Sequence, residues 1–476
     1  MRDRGGYAGI LAQAADRCPG RVCLHFEGRH WTYSELQSAT EAAASRLASA
    51  GVHAGMRVAI LAENCPEYLI AQFALARLGA VFVTPNPYWT TTETRHALEV
   101  AAVDAAVHDT RFDDVVTVLP HAVSLDTLLD GPGVTPPPIR VSGDTPVYIP
   151  FSSGTTGVPK GVVHTHASLG GGVGQLIRHL DLTGEDRVQM SLPLCHIFGA
   201  TMSAAAIAVG AEVTLFRRFD LDESLRHVAD ERITVLPLAG AVAHRLANRE
   251  HLDPKDFASL RFFMWGGSAV PPALAEAITA RTGVRFLCSY GMTEAMMLAF
   301  NPVRHPDEWQ VDSPGYATGG TELRRRPDGE LEVRGPSVAA GYIGVASSDF
   351  TADGWFRTGD IAEIDDDGRL YIVDRAKDVF KVSGFQVAPQ EVENALLSHP
   401  DILEAGVVPR RDDRTGEAPV AFVVSRNAAL TESAVQIFLR DLLASYKQPR
   451  EVHFVTELPR TASGKLRRKE LAHKVI

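Results

Sequence analysis

The sequence predicts an α/β protein. A large N-terminal domain of helix-flanked β-sheets, with a β-barrel-like subdomain, precedes a small C-terminal α+β domain. Three observations carry this reading. Helical and strand patterns alternate to about residue 300, as parallel sheets with covering helices require. From Glu330 to Gly384 the pattern changes to short strands with Gly and Asp-Gly turns, which reads as antiparallel structure. The length, 476 residues, suits two or three folding units. The boundary is set near Asp374, dividing the chain into 1–373 and 374–476.

The elements follow in order. Thr32, with Glu35 three residues on, predicts a capped amphipathic helix over Tyr33–Ala50. Arg57–Leu61 reads as a strand, Glu67–Leu78 as a helix and Ala80–Val83 as a second strand. Residues 131–138 form a Gly/Pro-rich surface linker. Thr145–Phe151 is a strand that runs straight into a Ser/Thr/Gly loop. Ser191–Ala211 carries no Asp, Glu, Lys or Arg. Its Pro193, His196, Gly199, Thr201 and many alanines mark a buried core segment and no membrane span. Glu330–Val333 and Leu370–Val373 are strands, with a turn at Asp366-Asp367-Gly368. In the tail, Pro389–Ser398 and Ser433–Ala444 read as helices, and Ala405–Val408 and Val420–Val424 as strands.

Composition narrows the function. A formal net charge of −11 argues against a sequence-independent nucleic-acid binder, which needs basic residues in excess. Five scattered cysteines without a CxxC pair read as reduced cytosolic thiols. With no apolar leader at the N-terminus, a cytoplasmic location is expected. No GxSxG elbow or HExxH motif supports a hydrolase.

Phe151 to Gly161 holds the strongest local signal. Ser152, Ser153, Gly154, Thr155, Thr156, Gly157 and Lys160 combine backbone that can approach an anion with hydroxyl and ammonium donors. The loop lacks the Gly-Lys-Ser/Thr of a Walker motif. Five of the eight lysines, against thirty-nine arginines, fall in or beside this and the motifs below.

The loop resembles the signature of the adenylate-forming superfamily, which holds acyl-CoA synthetases, peptide-synthetase adenylation domains and firefly-luciferase-like enzymes. The resemblance recurs in order: Leu192 to Gly199, Gly266-Gly267-Ser268-Ala269, Tyr290-Gly291-Met292-Thr293-Glu294, Gly354 to Asp360, Asp374-Arg375, and Pro459 to Lys465. It covers essentially the whole chain and is nearest to coumarate-CoA-ligase-like enzymes. It implies ATP-dependent activation of a carboxylic acid to an acyl-adenylate, then transfer to a thiol.

By this resemblance the loop from Ser152 to Lys160 and Thr293 hold phosphates, and Glu294 carries Mg²⁺. Tyr290 packs on adenine beside Gly267, Ser268 and Ala269, with Ser289, Gly291 and Met292 adjoining. Asp360 accepts from the ribose hydroxyls, and Arg375, Ile372, Lys381 and Gln386 also face the nucleotide. Lys465 bridges the substrate carboxylate and α-phosphate, which lowers the repulsion between two anions. His196 gates the acyl site. Phe198, Met202, Met264, Trp265, Gly266 and Met296 line the acyl pocket. Phe198 to Ala205 contains no acid, so an α-amino acid is not the expected substrate. Ser383 and Gly384 border the thiol tunnel, which favours CoA over an acyl carrier protein. Asp374 is the hinge of a mobile C-terminal lid. Alternatives are an acyl-AMP synthetase serving a carrier protein or separate transferase, and a luciferase-like oxygenase. Arg467-Arg468-Lys469 reads as a solvated charged face.

Overall fold

The computed structural model describes residues 6–131, 136–152, 159–238, 240–267, 270, 272–344, 347–375, 378–382, 385–412, 414–440, 442–460 and 466–475. Three sheets organise the described residues.

The seven-stranded sheet is parallel at its centre. Arg57–Leu61 pairs with Val81–Thr84 and Ala105–His108, which pairs in turn with His121–Ser124. Pro146–Ser152 adds to Val81–Thr84, again in parallel. The chain then doubles back. Lys160–Thr165 runs antiparallel to Pro146–Ser152, with Ser152 opposite Lys160, and Gly341–Tyr342 completes the edge. Buried side chains on both faces explain the apolar runs seen in these strands.

The thirteen-stranded sheet has a parallel half and an antiparallel half. Val22–Phe26, Glu212–Leu215, Arg187–Met190, Val235–Leu238, Phe262–Trp265 and Phe286–Tyr290 form the parallel half in that order. Past Tyr290 every pairing is antiparallel. The short strands expected after residue 330 therefore continue this sheet directly. They bury their own cluster around Leu331, Val333, Phe356 and Leu370.

Local signals account for several elements. The helix Tyr33–Ser49 begins at a capping box in which Thr32 and Glu35 exchange hydrogen bonds. The charge-free stretch contains the helix Ile197–Val209, buried in the main core cluster beside Leu11, Val173 and Leu176. Among the described residues no helix is long and apolar enough to cross a membrane.

The C-terminal domain packs Pro389–Leu397 and Glu432–Leu439 on a five-stranded sheet around Gly416–Ser425. The strand expected over Ala405–Val408 extends to Ile402–Asp412, because it ladders along the whole of Gly416–Ser425. The helix expected to reach Ala444 stops at Leu439, where the chain turns on Leu442 and Leu443 amides bonded to the Leu439 carbonyl.

Asp374 lies inside a strand, Arg369–Arg375, opposite Ile361 of the N-terminal sheet. Its carboxylate accepts the Gln390 amide at 2.8 Å, and so caps the first helix of the C-terminal domain. The sheet of the first domain thus runs on through Arg375.

Arg468 corrects one sequence reading. It is not on a solvated face. Its guanidinium pairs with buried Glu393, one contact at 3.0 Å, and lies 3.6 Å from Asp378. Arg468 opens a short helix, Arg468–Ala472, whose Leu471 packs with Val408 and Phe422. That packing turns the preceding arginine inward. Arg468→Ala strands the Glu393 carboxylate and should cost about 3 kcal/mol. Urea unfolding of the whole chain, with hydrogen exchange of Pro389–Leu397, reads this. A cost below about 1 kcal/mol would show the pair to be water-screened.

Candidate active site

Four segments meet at one end of the two large sheets. The first is the antiparallel turn-back of the seven-stranded sheet. Lys160 and His164 share a face of the strand Lys160–Thr165, since their spacing is even. Tyr342 stands opposite Val162, between them on the same face. The Lys160 ammonium lies 4.7 Å from the Tyr342 ring centroid, a cation–π arrangement. Ser153, Gly154, Thr155, Thr156 and Gly157 lie outside the described residues. Their flanks, Ser152 and Lys160, form the closing pair of the hairpin.

The second is the turn after Phe286–Tyr290. Gly291 has no room for a side chain, because a Cβ would sit 2.7 Å from the Met297 nitrogen. The Met292 amide bonds to the Ala295 carbonyl and holds the turn that presents Thr293 and Glu294. Three outside donors fix it. His164 Nε2 donates to the Thr293 carbonyl at 2.8 Å, the Ala339 amide to the Glu294 carbonyl at 2.8 Å, and the Tyr342 hydroxyl to Glu294 Oε1 at 3.0 Å. Burial holds the His164 pKa down at about 4. The ring is therefore neutral at pH 7, with Nε2 protonated for Thr293 and Nδ1 at 3.1 Å from the Ser168 hydroxyl.

The third is the pairing of Phe356–Ile364 with Arg369–Arg375. Asp360 and Arg375 are directly opposed, and Arg375 Nε lies 2.6 Å from Asp360 Oδ1. Tyr290 donates its hydroxyl to Asp360 Oδ2 at 2.5 Å. Burial, and next the Asp360 charge, push the Tyr290 phenol well above its usual range. Ile372 lines the cluster under these residues.

The fourth is the 192–199 turn. Asn64 clamps it, donating to the Leu192 carbonyl at 2.9 Å and accepting the Leu194 amide at 2.8 Å. Thr84 and Tyr148 donate to the Cys195 carbonyl at 2.9 and 3.3 Å. His196, so placed, is the residue before the helix Ile197–Val209 and is half-buried. Phe198 faces Gly266 and Ser289: a Cβ on Gly266 would meet Ser289 Oγ at 3.0 Å and the Phe198 ring at 3.3 Å. Ser289 donates to the Trp265 carbonyl at 2.9 Å. Gly267 is exposed, with φ +85° and open space around it; Ser268 and Ala269 lie outside the described residues.

The structure thus brings together Lys160, Thr293 and Glu294, and likewise Ser289, Tyr290, Asp360 and Arg375, with His196, Phe198 and Gly266 nearby. It sets the other acyl-pocket residues differently. Met202, Met264 and Met296 are closed within the main core cluster. Trp265, 1% exposed, packs edge-on against Phe286 in a second cluster on the opposite face from Met264. Strand alternation explains this split. Lys465, Ser383 and Gly384 lie outside the described residues, as do the side chains of Lys381 and Gln386.

Glu294 can hold a hard cation. It forms no ion pair among the described residues, one oxygen takes a neutral donor, and the other is left to ligate. No group of three or more His, Cys, Asp or Glu side chains able to hold an ion occurs among the described residues. One carboxylate plus substrate phosphates is the usual magnesium arrangement. Sequence reasoning had missed His164, Tyr342, Asn64, Thr84 and Tyr148. Of these, His164 alone had a local signal, its even spacing from Lys160.

Comparison with known proteins places these features in a family of ATP-dependent, adenylate-forming ligases. The chain belongs to the AMP-binding enzyme family: residues 11–343 match the model of that name and 391–465 its C-terminal domain. It is 33% identical to rice (Oryza sativa subsp. japonica) 4-coumarate–CoA ligase 2, over 98% of this chain and 91% of that one. Bacillus subtilis O-succinylbenzoate coenzyme A synthetase, in complex with ATP and magnesium, superposes with a TM-score of 0.87 at 28% identity, covering 97% of this chain and 99% of that. Amide bond synthetase McbA from Marinactinospora thermotolerans gives 0.91 at 27%, covering 98% and 99%.

Because His164 is buried neutral, its stabilisation is fully present above pH 6.5 and is lost as pH falls through about 4. His164→Gln keeps an N–H for the Thr293 carbonyl but cannot titrate. Denaturant unfolding at pH 6.5 and 4.5 should show the variant losing less stability than wild type, by roughly 3 kcal/mol at most. Equal losses would mean that the ring is protonated in the folded state.

Proposed function

We propose that the protein activates a carboxylic acid other than an α-amino acid with ATP and Mg²⁺, and passes the acyl group to CoA. The observation that carries this is the meeting of Tyr290, Asp360 and Arg375 with Glu294 and Lys160. In the first step a carboxylate oxygen attacks the α-phosphorus of ATP, and pyrophosphate leaves. In the second the CoA sulfur attacks the acyl carbon, AMP leaves as the C–O bond breaks, and the thiol proton goes to solvent.

This chain's residues serve the first step by placing charge beforehand. Lys160 supplies a mobile cation at the mouth of the phosphate loop. Asp360 takes the ribose hydroxyls while Tyr290 and Arg375 hold its carboxylate still. Glu294 offers its free oxygen to magnesium, which when bound neutralises phosphate oxygens and eases departure of pyrophosphate. Lys465 crosses between carboxylate and α-phosphate. Phe198 and Gly266 give the acyl group apolar walls, and the 198–205 segment offers no acid to an amine. The curated relatives matched are CoA ligases, which supports CoA over a carrier protein.

The two half-reactions need different faces of the C-terminal domain. Lys465 serves adenylation, Ser383 and Gly384 serve thiolation, and the domain rotates about Asp374 to exchange them. A second reading is transfer to an amine, which the similarity to an amide bond synthetase favours.

Pyrophosphate release across a panel of carboxylic acids, with and without CoA and with mass analysis of products, tests the reading. Acid-dependent pyrophosphate and an acyl-CoA product are expected. Acyl-AMP that ignores CoA but forms amides would establish the second reading, and no acid-dependent release would end both. Lys465→Ala should lose two or more orders of magnitude in adenylate formation. It should still convert supplied acyl-adenylate and CoA at near wild-type rate. Equal loss in both half-reactions would show that Lys465 serves both steps.

A further inference from the structure

Gly341–Tyr342 is a two-residue strand, far along the chain from the phosphate loop, yet it is tightly held. Besides the pairs Gly341–Val163 and Tyr342–Val162, the Ala340 amide bonds to the Val163 carbonyl at 2.8 Å and the Ile343 amide to the Gly161 carbonyl at 2.9 Å. Gly161 must be glycine for this approach, since a Cβ would lie 2.7 Å from Ile343 Cγ2. The segment just before it runs along the metal-site turn, where Val338 bridges to Ala295 and the Ala339 amide holds the Glu294 carbonyl. One short stretch is therefore fixed to both the phosphate hairpin and the Thr293-Glu294 turn.

Its side chain touches both as well. The Tyr342 ring carries the Lys160 ammonium on its face, and Phe350 packs edge-on against it at 5.4 Å. The hydroxyl donates to Glu294 Oε1 at 3.0 Å. Among the described residues Glu294 Oε2 has no partner. We propose that Tyr342 is a positioning residue: its hydroxyl fixes the rotation of the Glu294 carboxylate so that one oxygen faces the metal, and its ring seats Lys160 beside it. The inference rests on the reading of Glu294 as the magnesium carboxylate and of the hairpin as the phosphate site.

The physical case is one of geometry. Magnesium demands near-ideal octahedral placement of its ligands. A free carboxylate rotates about its last torsion and can offer either or both oxygens. A hydroxyl on one oxygen removes that freedom, and a hydrogen bond to a charged acceptor is among the stronger ones. The phenol O–H can donate and the ionised carboxylate can only accept, so the direction of this bond is fixed. A phenylalanine would fill the same space against Phe350 and Lys160. The hydroxyl is thus required by the carboxylate and by no packing contact described. Loss of such an outer partner typically weakens metal affinity by 10–100-fold.

The test is ATP binding to the intact chain by calorimetry, in excess MgCl₂ and again in EDTA. The ratio of the two affinities is the magnesium gain, a quantity that needs no turnover. Tyr342→Phe should cut the gain by about tenfold while leaving the EDTA affinity unchanged. Tyr342→Leu should in addition weaken binding in EDTA, because Lys160 loses its seat. Glu294→Gln should remove most of the gain, and in that background Tyr342→Phe should change nothing further. If Tyr342→Phe keeps the full gain while Glu294→Gln loses it, the positioning role is wrong and the metal reading stands. Equal weakening by Tyr342→Phe with and without magnesium would overturn the proposal in favour of packing alone. A full gain in Glu294→Gln would instead remove the metal reading, and the proposal with it.

Discussion

The site depends on one reversal of strand direction. Four strands of the seven-stranded sheet run parallel to the strand Pro146–Ser152 or to one another, and then Lys160–Thr165 comes back antiparallel beside it. Parallel neighbours need a long crossover, whereas antiparallel ones close through a short loop. The reversal therefore sets Ser152 directly opposite Lys160. It also leaves the returning strand as a place where Gly341–Tyr342 can add. Lys160, His164 and Tyr342 all point to the same side because of that register, and on that side stands the Thr293-Glu294 turn of the other large sheet.

Around this junction polar groups are satisfied in pairs. His164 holds a carbonyl, Tyr342 a carboxylate oxygen, and Tyr290 and Arg375 the two oxygens of Asp360. Asn64 does the same with the carbonyls and amide of the turn before His196. Such buried networks are costly when incomplete, and fully paired they hold one arrangement. Most of the bracing donors are neutral. Tyr342 orients Glu294 without cancelling its negative charge, whereas Arg375 pairs with Asp360.

The elements whose cause is local could be read from the sequence. The capping box at Thr32 and Glu35, the Pro-initiated helix at Pro389 and the apolar strands at Arg57 and Val81 fall within a residue or two of expectation. The ordered motifs likewise named Tyr290, Asp360 and Arg375, which the structure bonds to one another. What escaped was everything fixed by distant register. The strand at Ile402 is long because its partner is long. Arg468 is buried because Leu471 docks and Glu393 waits across the domain. Met264 and Trp265 are neighbours in sequence but lie on opposite faces of a sheet. Tyr342 gave no local sign at all, since only pairing with Val162 brings it to Glu294.

Asp374 has a further consequence. One carboxylate ends the sheet of the first domain and caps the first helix of the second. A cap of this kind contributes about 1 kcal/mol, close to a fivefold population ratio. In the domain rotation proposed above, the helix would leave the sheet only by releasing this contact, which would make it a weak latch. It is strong enough to favour one resting orientation and too weak to lock it. In the rotation proposed above, occupancy of the site and not this one contact would decide which way the second domain faces.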